Sequence, residues 1–348
     1  ADTDRKKRRL LELFNGQTLV PASLRGLHAW LAWHSQALAE AVIAADPMGF
    51  IEYGDADALN PQQGRALFAA LRQLSESNPR FRDWKDYRTG GLVQSALLPE
   101  IRDVIVGTGV EFGLRLLVLQ ALKGSPLIGA LQNELISLVL SEADAFANRS
   151  EAADRLVEAD IAIDWSATFK QLLAQQTEDS VRLVSEQMHA IGYDRFDDAL
   201  LLDTVRAEFA RSEDTVGVFM SLERDLPDNR LDVLLDEIAS VASAAGRPHQ
   251  RPNDGAITDL MYALLARRLA LPLPDIEVLW KWLEPFNERS GYQRETRQAV
   301  ARVFEGNDAL RHALQRHVLL DLPGEKTAWQ RSCRLSERVA GLQPSDTD

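Results

Sequence analysis

Few residues in this chain could carry chemistry, and each departs from the pattern that its chemistry requires. A phosphate-binding loop needs the string GxxxxGK[ST], because backbone amides wrap the phosphates and the lysine reaches them. The sequence contains no such string. The glycine-rich stretch Gly107–Gly113 misses GxGxxG by one residue and follows a helical pattern rather than a strand. We interpret it as a loop between two helices, with a phosphate cradle as the alternative.

The histidines, acidic loops and cysteine do not match a metal or nucleophile pattern. His312 and His317 are five residues apart, on different faces of a helix, and neither belongs to an HExxH string. Gly54–Asn60 begins like a calcium loop, but Asn60 stands where an EF-hand requires glycine. We expect a turn and a helix N-cap there. Cys333 is the only cysteine, which excludes an internal disulfide and any CxxC motif. The sequence therefore predicts no catalytic, cofactor-binding or metal-binding residues, and no cofactor.

Composition and charge describe a globular, acidic chain. Hydrophobic residues make up 45% of the 348 residues and charged residues 26%, which are ordinary globular values. Lys plus Arg number 39 against 52 Asp plus Glu, a net charge of −13, and this charge repels nucleic-acid phosphates and anionic lipid. The one dense basic run, Arg5–Arg9, is interpreted as a solvated terminus, with an anionic partner as the alternative.

The longest apolar run and the cysteine content bear on membrane contact and on the compartment of the chain. The densest apolar run, Leu114–Leu122, includes Arg115 and Gln120 and is far shorter than the ~20 apolar residues that span a bilayer. A single cysteine suits a reducing compartment. We expect a cytoplasmic chain with no membrane partner.

Apolar residues recur at helical spacing almost throughout. In Leu67–Leu74 they return every three to four residues, and Asn60-Pro61 before them is an N-cap followed by proline. Gly49–Tyr53 is the best strand candidate and is short. The most linker-like tract is Gly246–Gly255. We predict an all-α chain with an N-terminal helical segment at 1–90, helical repeats at 91–245 and a C-terminal helical segment at 256–342.

The middle of the chain repeats with a period near 34 residues. Glu134 follows Glu100 by 34, Arg149 follows Arg115 by 34, and Arg182 follows Arg149 by 33. A period of this size with two amphipathic helices per unit is typical of a helical solenoid. We predict a right-handed HEAT/ARM-like solenoid in which the three arginines form a ladder along one inter-repeat groove.

Two tryptophans are candidate partner-binding residues. Trp280 and Trp282 are two residues apart, so on a helix they point toward different faces and one of them could be exposed. Core packing is the favoured interpretation. A partner-binding hot spot is the alternative, because tryptophan is enriched at such positions.

Four stretches near the N-terminus carry a resemblance to a known family. Gly26–Ala32, Asp46-Pro47, Tyr53–Asp55 and Arg65–Leu71 are similar to the helical region that follows the nucleotide-binding core in large bacterial NACHT-type (STAND) NTPases, many of them linked to antiphage defence. The similarity is clearest over 24–160. The family's P-loop and Walker B residues have no counterpart here. The resemblance therefore implies a helical sensor or regulatory array, a piece of a larger NTPase without the ATPase itself.

These observations favour a non-catalytic helical array that contacts a protein partner or its own NTPase core. A stand-alone HEAT-type adaptor is one alternative, and a P-loop domain encoded upstream in the same reading frame would distinguish the two. A HEAT-like DNA glycosylase is another. The net charge of −13 opposes the glycosylase, because neutralising phosphates supplies most non-specific DNA affinity.

We predict that the chain binds duplex DNA only weakly at physiological salt, because its acidic surface repels the phosphate backbone. Fluorescence anisotropy of a labelled duplex, titrated at several salt concentrations, measures this. A sub-micromolar Kd with a steep salt dependence would contradict the prediction and favour the glycosylase.

Overall fold

The computed structural model consists of two compact units, Ala1–Thr168 and Phe169–Asp348. It describes residues 5, 20, 22–32, 36–82, 89–159, 161–211, 216–244, 254–287, 290–322, 327–340 and 342. Eighteen α-helices and no strand occur in these ranges, which confirms the all-α prediction. None of the described helices is long and apolar enough to cross a membrane.

Unit 1 contains eight complete α-helices, and a ninth crosses into unit 2. They are α1 (Arg25–Ala32), α2 (Gln36–Ala45), α3 (Pro47–Tyr53), α4 (Pro61–Ser77), α5 (Leu98–Val106), α6 (Phe112–Ala121), α7 (Gln132–Leu140), α8 (Phe146–Glu158) and α9 (Trp165–Gln175). The best strand candidate, Gly49–Tyr53, lies in α3. That helix forms because Pro47 starts it and the Asp46 carboxylate accepts a hydrogen bond from the Gly49 amide.

Unit 2 continues with nine α-helices and a short π-helix. They are α10 (Glu178–Ile191), α11 (Asp198–Ala210), α12 (Val216–Asp225), α13 (Leu231–Ala244), α14 (Asp254–Leu269), α15 (Ile276–Leu283), α16 (Arg294–Glu305), α17 (Asp308–Arg316), the π-helix His317–Asp321 and α18 (Ala328–Arg338). The unit boundary falls inside α9 and not at the predicted linker Gly246–Gly255. Residues 245–253 lie outside the described part of the chain.

Helices of each unit pack in two alternating rows. In unit 1, α5 contacts α6 and α7, and α8 also contacts α6 and α7. In unit 2, α11, α13, α15 and α17 contact one another in sequence, as do α10, α12, α14 and α16. Each row thus places a helix against the helix two positions further along the chain. This arrangement buries both sides of a helix, because neither helix of a pair can cover its apolar face alone.

The two helix pairs α5–α6 and α7–α8 repeat in backbone conformation. The residues that precede α5 and α7 are Leu97 (φ −109°, ψ 8°) and Leu131 (φ −112°, ψ 8°). The residues that precede α6 and α8 are Glu111 (φ −61°, ψ 140°) and Ala145 (φ −62°, ψ 142°). Both comparisons join residues 34 positions apart. The sequence period is therefore a structural period in this part of unit 1.

Two exposed arginines repeat with the same pairs. Each one pairs with a glutamate in the first turn of a later helix and donates to the carbonyl four residues before that glutamate. The two sets are Arg65 with Glu100 and Ala96, and Arg102 with Glu134 and Ala130. A carboxylate at a helix N-terminus is stabilised by the helix dipole, so these links hold α4 to the start of α5 and α5 to the start of α7.

In unit 2, side chains of α14 hold the ends of two neighbouring helices. Arg267 donates to the carbonyl oxygens of Glu223 and Leu226, both at 2.7 Å, at the C-terminus of α12. The buried Asp259 carboxylate accepts the backbone amide of Gln293 at 3.0 Å, just before α16. Burial, and then the nearby Asp259 carboxylate, raise the pKa of the half-buried Glu223 side chain.

We predict that Glu223→Gln raises the Tm at pH 7 and that the gain disappears as the pH falls toward about 4. A carboxyl group whose folded-state pKa is raised binds protons more readily when folded. Its stabilising contribution is therefore present below the unfolded-state pKa and lost as the pH rises. Thermal unfolding followed by circular dichroism from pH 4 to pH 7 measures the difference from wild type.

The matched control is Glu76→Gln, on the exposed end of α4, which should leave the Tm nearly unchanged. A Glu223→Gln protein that is no more stable than wild type at pH 7 would show that Arg267 outweighs the effect of burial.

Candidate functional site

Arg115, in the first turn of α6, binds the end of α5, the loop that follows α5 and the loop before α8. The side chain is buried, and its Nε donates to the carbonyl of Val104 at 3.1 Å. Its Nη2 donates to the carbonyl of Gly107 at 2.6 Å, and its Nη1 pairs with the Asp144 carboxylate. Val104 and Gly107 end α5, where helix carbonyls have no intrahelical donor. Burial lowers the pKa of Arg115, as expected for a cation removed from water.

Arg149 occupies the equivalent position in the next helix pair. It is 1% exposed, and its Nε donates to the carbonyl of Val139 at 3.0 Å, in the last turn of α7. Arg115 and Arg149 each lie four residues after the residue that precedes their helix, Glu111 or Ala145. Each arginine therefore caps the first helix of its own pair.

Arg182 does not belong to this set, so the predicted ladder of three arginines is wrong at its third member. The residue that precedes α10 is Thr177, 32 residues after Ala145 and not 34. The position four residues later is the buried Val181. Arg182 comes one residue further, rotated by about 100° around the helix. Its side chain is 45% exposed and pairs with Glu186 of the same helix at 2.8 Å.

Trp280 and Trp282 are both core residues, which corrects their assignment as partner-binding candidates. They are 3% and 0% exposed. A spacing of two does turn them toward different sides of α15, but α13 and α17 contact this helix. Trp282 Nε1 donates to the Asp236 carboxylate at 2.7 Å, and the Arg334 guanidinium lies 6.0 Å from the Trp280 ring.

One cavity, the loop pocket, lies in unit 1 beside Arg115. Its volume is about 390 Å³, and its lining combines the α5–α6 loop, the end of α7 and the loop before α8. The lining residues are Ile105, Val106, Gly107, Thr108, Gly109, Val110, Arg115, Ser137, Leu138, Ser141, Ala143 and Asp144. The stretch Gly107–Gly113 thus joins α5 to α6 as predicted, and its first half forms one wall of the loop pocket.

A second cavity in unit 2 is a groove of about 660 Å³ between α9 and α11. Ala174 lines one side, and Ala207 and Ala210 line the other. Gln176, with φ 57°, lies at one end. Small side chains on facing helices leave space that a helix of another protein can enter.

A buried ionic network next to the groove was missed from the sequence. Glu208 and Arg211 are 1% and 7% exposed, and Arg211 Nη1 donates to the Glu208 carboxylate at 2.9 Å. Ser185 Oγ lies 2.5 Å from the same carboxylate. The spacing of Glu208 and Arg211 is that of an ordinary solvated helix pair, so sequence offered no signal of burial. Removing one partner of a buried pair leaves an uncompensated charge, and the pair therefore fixes the end of α11 against α10.

The remaining candidates from the sequence either cap or lie within helices, or they fall outside the described residues. Asn60 accepts from the Gln63 amide in a capping box that starts α4, as predicted for the end of the calcium-like string. Cys333 is half-buried in α18. Of the basic run Arg5–Arg9, only Arg5 is described. Within the described ranges, no three His, Cys, Asp or Glu side chains are close enough to share a metal ion.

Comparison with known proteins gives no relative. No family model matches the chain, no curated protein matches it, and no solved structure matches it.

We predict that Arg149→Ala lowers the free energy of unfolding by about 1–3 kcal/mol, because the buried carbonyls at the end of α7 lose a charged donor. Arg182→Ala, the same substitution on an exposed side chain, should change it by less than about 0.5 kcal/mol. Urea unfolding followed by circular dichroism measures both. Equal losses of unfolding free energy in the two variants would contradict the prediction that the buried Arg149 stabilises the fold more than the exposed Arg182.

Proposed function

We propose that this chain is a HEAT-like α-solenoid that acts as a non-catalytic scaffold, binding a protein partner or packing on an NTPase core. The observation that carries the proposal is the stacking of alternate helices in each unit, together with the 34-residue repeat of backbone conformation from Leu97 to Ala145. Stacked helix pairs present an extended surface, and such surfaces serve as binding platforms.

The polar side chains that could have carried chemistry bind other parts of the protein, which supports a scaffold role. Arg115 and Arg149 cap helices, and Glu208 pairs with Arg211 inside unit 2. The groove between α9 and α11 has alanines on both walls and charged side chains such as Lys170 and Asp203 in its lining, which suits an amphipathic partner helix. These groups hold helices in place or shape a surface.

The finer part of the proposal, a sensor or regulatory region of a bacterial NACHT/STAND-type NTPase acting in antiphage defence in the cytoplasm, stands on the sequence resemblance. Three of the four stretches that carry the resemblance, those with Gly26, Asp46 and Tyr53, meet at one joint in unit 1, where the neighbouring Arg25 links them. Arg25 Nε donates to the Asp46 carboxylate at 2.7 Å, and the guanidinium lies 5.6 Å from the Tyr53 ring. A Cβ on Gly49 would overlap the Asp46 carboxylate. These three stretches therefore help to pack α1 against α3, and the fourth, Arg65–Leu71, lies in α4.

A stand-alone HEAT-type adaptor uses the same scaffold without an NTPase. A HEAT-like DNA glycosylase is the third candidate, and the net charge of −13 opposes it, since DNA binding requires neutralised phosphates.

The test is the composition of the native polypeptide. Antibodies against this chain should recover, from the source cells, one polypeptide whose chymotryptic peptides include a GxxxxGK[ST] string besides peptides of unit 1 and unit 2. Intact mass and peptide sequencing by mass spectrometry measure this. A native polypeptide that lacks the string contradicts the NTPase proposal and favours the adaptor.

A further inference from the structure

The loop pocket places a rigidly held arginine at the edge of a solvent-accessible cavity. Arg115 is 7% exposed and is fixed by Val104, Gly107 and Asp144. Thr108, which also lines the cavity, is exposed. A guanidinium in this setting cannot swing away into water. The direction of its hydrogen-bond donors is therefore preset before any ligand arrives.

Donor capacity in the loop pocket exceeds what the protein uses. A guanidinium has five N–H groups, and three of those on Arg115 have acceptors. The other two, one on Nη1 and one on Nη2, have no acceptor among the described residues. The hydroxyls of Thr108, Ser137 and Ser141 also line the cavity and form no hydrogen bond with the described part of the chain. Unused donors on a buried side chain favour a ligand that supplies acceptors.

The Asp144 carboxylate provides a hydrogen-bond acceptor beside these donors. One oxygen of the Asp144 carboxylate pairs with Arg115, and the second oxygen has no donor within the described ranges. The two opposite charges make the Arg115–Asp144 pair neutral overall, so an anion would gain little from Arg115 and be repelled by Asp144. A neutral group with an acceptor next to a donor satisfies both side chains.

The geometry of the glycine loop keeps the cavity open. Gly107 has no room for a side chain, because a Cβ there would overlap the carbonyl oxygen of Asp103. Gly109 has φ +76°, and a Cβ at that position would meet nothing within 4 Å. The loop therefore passes close to α5 at one glycine and leaves free space at the other. A volume of about 390 Å³ falls at the small end of ligand pockets.

We propose that the loop pocket is a binding site for small neutral molecules that carry a carbonyl beside an N–H, as primary amides and pyrimidine-type bases do. The carbonyl of such a ligand accepts the unused N–H groups of Arg115. Its N–H donates to the free oxygen of Asp144, and the hydroxyls of Ser137 and Ser141 complete the contacts at the α7 side. The proposal is independent of the proposed function, because it requires neither an NTPase core nor a protein partner.

The test uses the full chain and four small probes, of which nicotinamide and nicotinate are matched in size, in isothermal titration calorimetry and ligand-observed NMR. Nicotinamide and uracil carry the carbonyl beside an N–H, whereas nicotinate and inorganic phosphate are anions. We expect saturable binding of one or both neutral probes with a Kd below about 1 mM, and binding of both anions weaker by about tenfold or more, because a buried polar group left unpaired is costly. Absence of saturable binding by both neutral probes, or equal binding of the anions, overturns the proposal.

Two tryptophan substitutions on α7 locate the site. Ser137→Trp fills the loop pocket and should abolish binding of the neutral probes. Asn133→Trp, one helical turn earlier, is exposed and outside the cavity lining, so binding should be retained. Loss of binding in both variants, or in neither, contradicts the location.

Asp144→Asn tests the charge balance. This variant leaves Arg115 without a counter-charge, so nicotinate should bind more tightly than to wild type and nicotinamide no more tightly. Circular dichroism establishes that each variant is folded before titration. Unchanged preference in a folded Asp144→Asn protein overturns the role of Asp144.

Discussion

Hydrogen bonds from arginine side chains to the C-terminal carbonyls of helices hold much of this structure together. The last carbonyls of a helix have no intrahelical donor and carry the negative end of the helix dipole. When such an end is buried, a donor must come from elsewhere. Arg115, Arg149 and Arg267 supply it at the ends of α5, α7 and α12. A guanidinium suits this role because it offers several donors in a fixed plane and a complementary charge.

In this acidic chain, single arginines often bind two acceptors at once. Carboxylates outnumber basic residues by 52 to 39, yet in several places one arginine serves both a carbonyl and a carboxylate. Arg65 and Arg102 do so on the surface, and Arg267, which also pairs with Asp228, does so in unit 2. The scarcer cations are thus placed where backbone acceptors need donors, and many carboxylates remain in solvent. The strongly negative surface is a by-product of this distribution.

The sequence predicted local features well. Helical spacing and the cap at Asn60 depend on neighbouring residues, and the structure has them where they were expected. The cap at Asp46 was not predicted, and the helix that it starts includes the best strand candidate. The 34-residue period is present in the backbone of the two helix pairs from α5 to α8. The sequence revealed this period because Arg115 and Arg149 are the same residue type at the same distance from the start of their helices.

Features that depend on distant segments were not predictable. Arg182 matched the period within one residue, but a shorter connection before α10 rotates it into solvent. Trp280 is buried in a helix that contacts α13 and α17, neither of which the sequence could place against α15. The loop pocket requires Asp144 to meet Arg115 across 29 residues, and no periodicity indicates such a contact. Residue type alone does not say which of many arginines and aspartates are buried together.

The length of chain closed by each arginine cap has a consequence for folding kinetics. Arg115 reaches a carbonyl 11 residues earlier and Arg149 one 10 residues earlier, whereas Arg267 reaches one 44 residues earlier. Contacts between near neighbours in sequence cost little loop-closure entropy and form early, and distant ones wait for collapse of the intervening chain. The helix pairs of unit 1 are thereby able to nucleate as separate hairpins, while α12 and α14 of unit 2 depend on the segments between them.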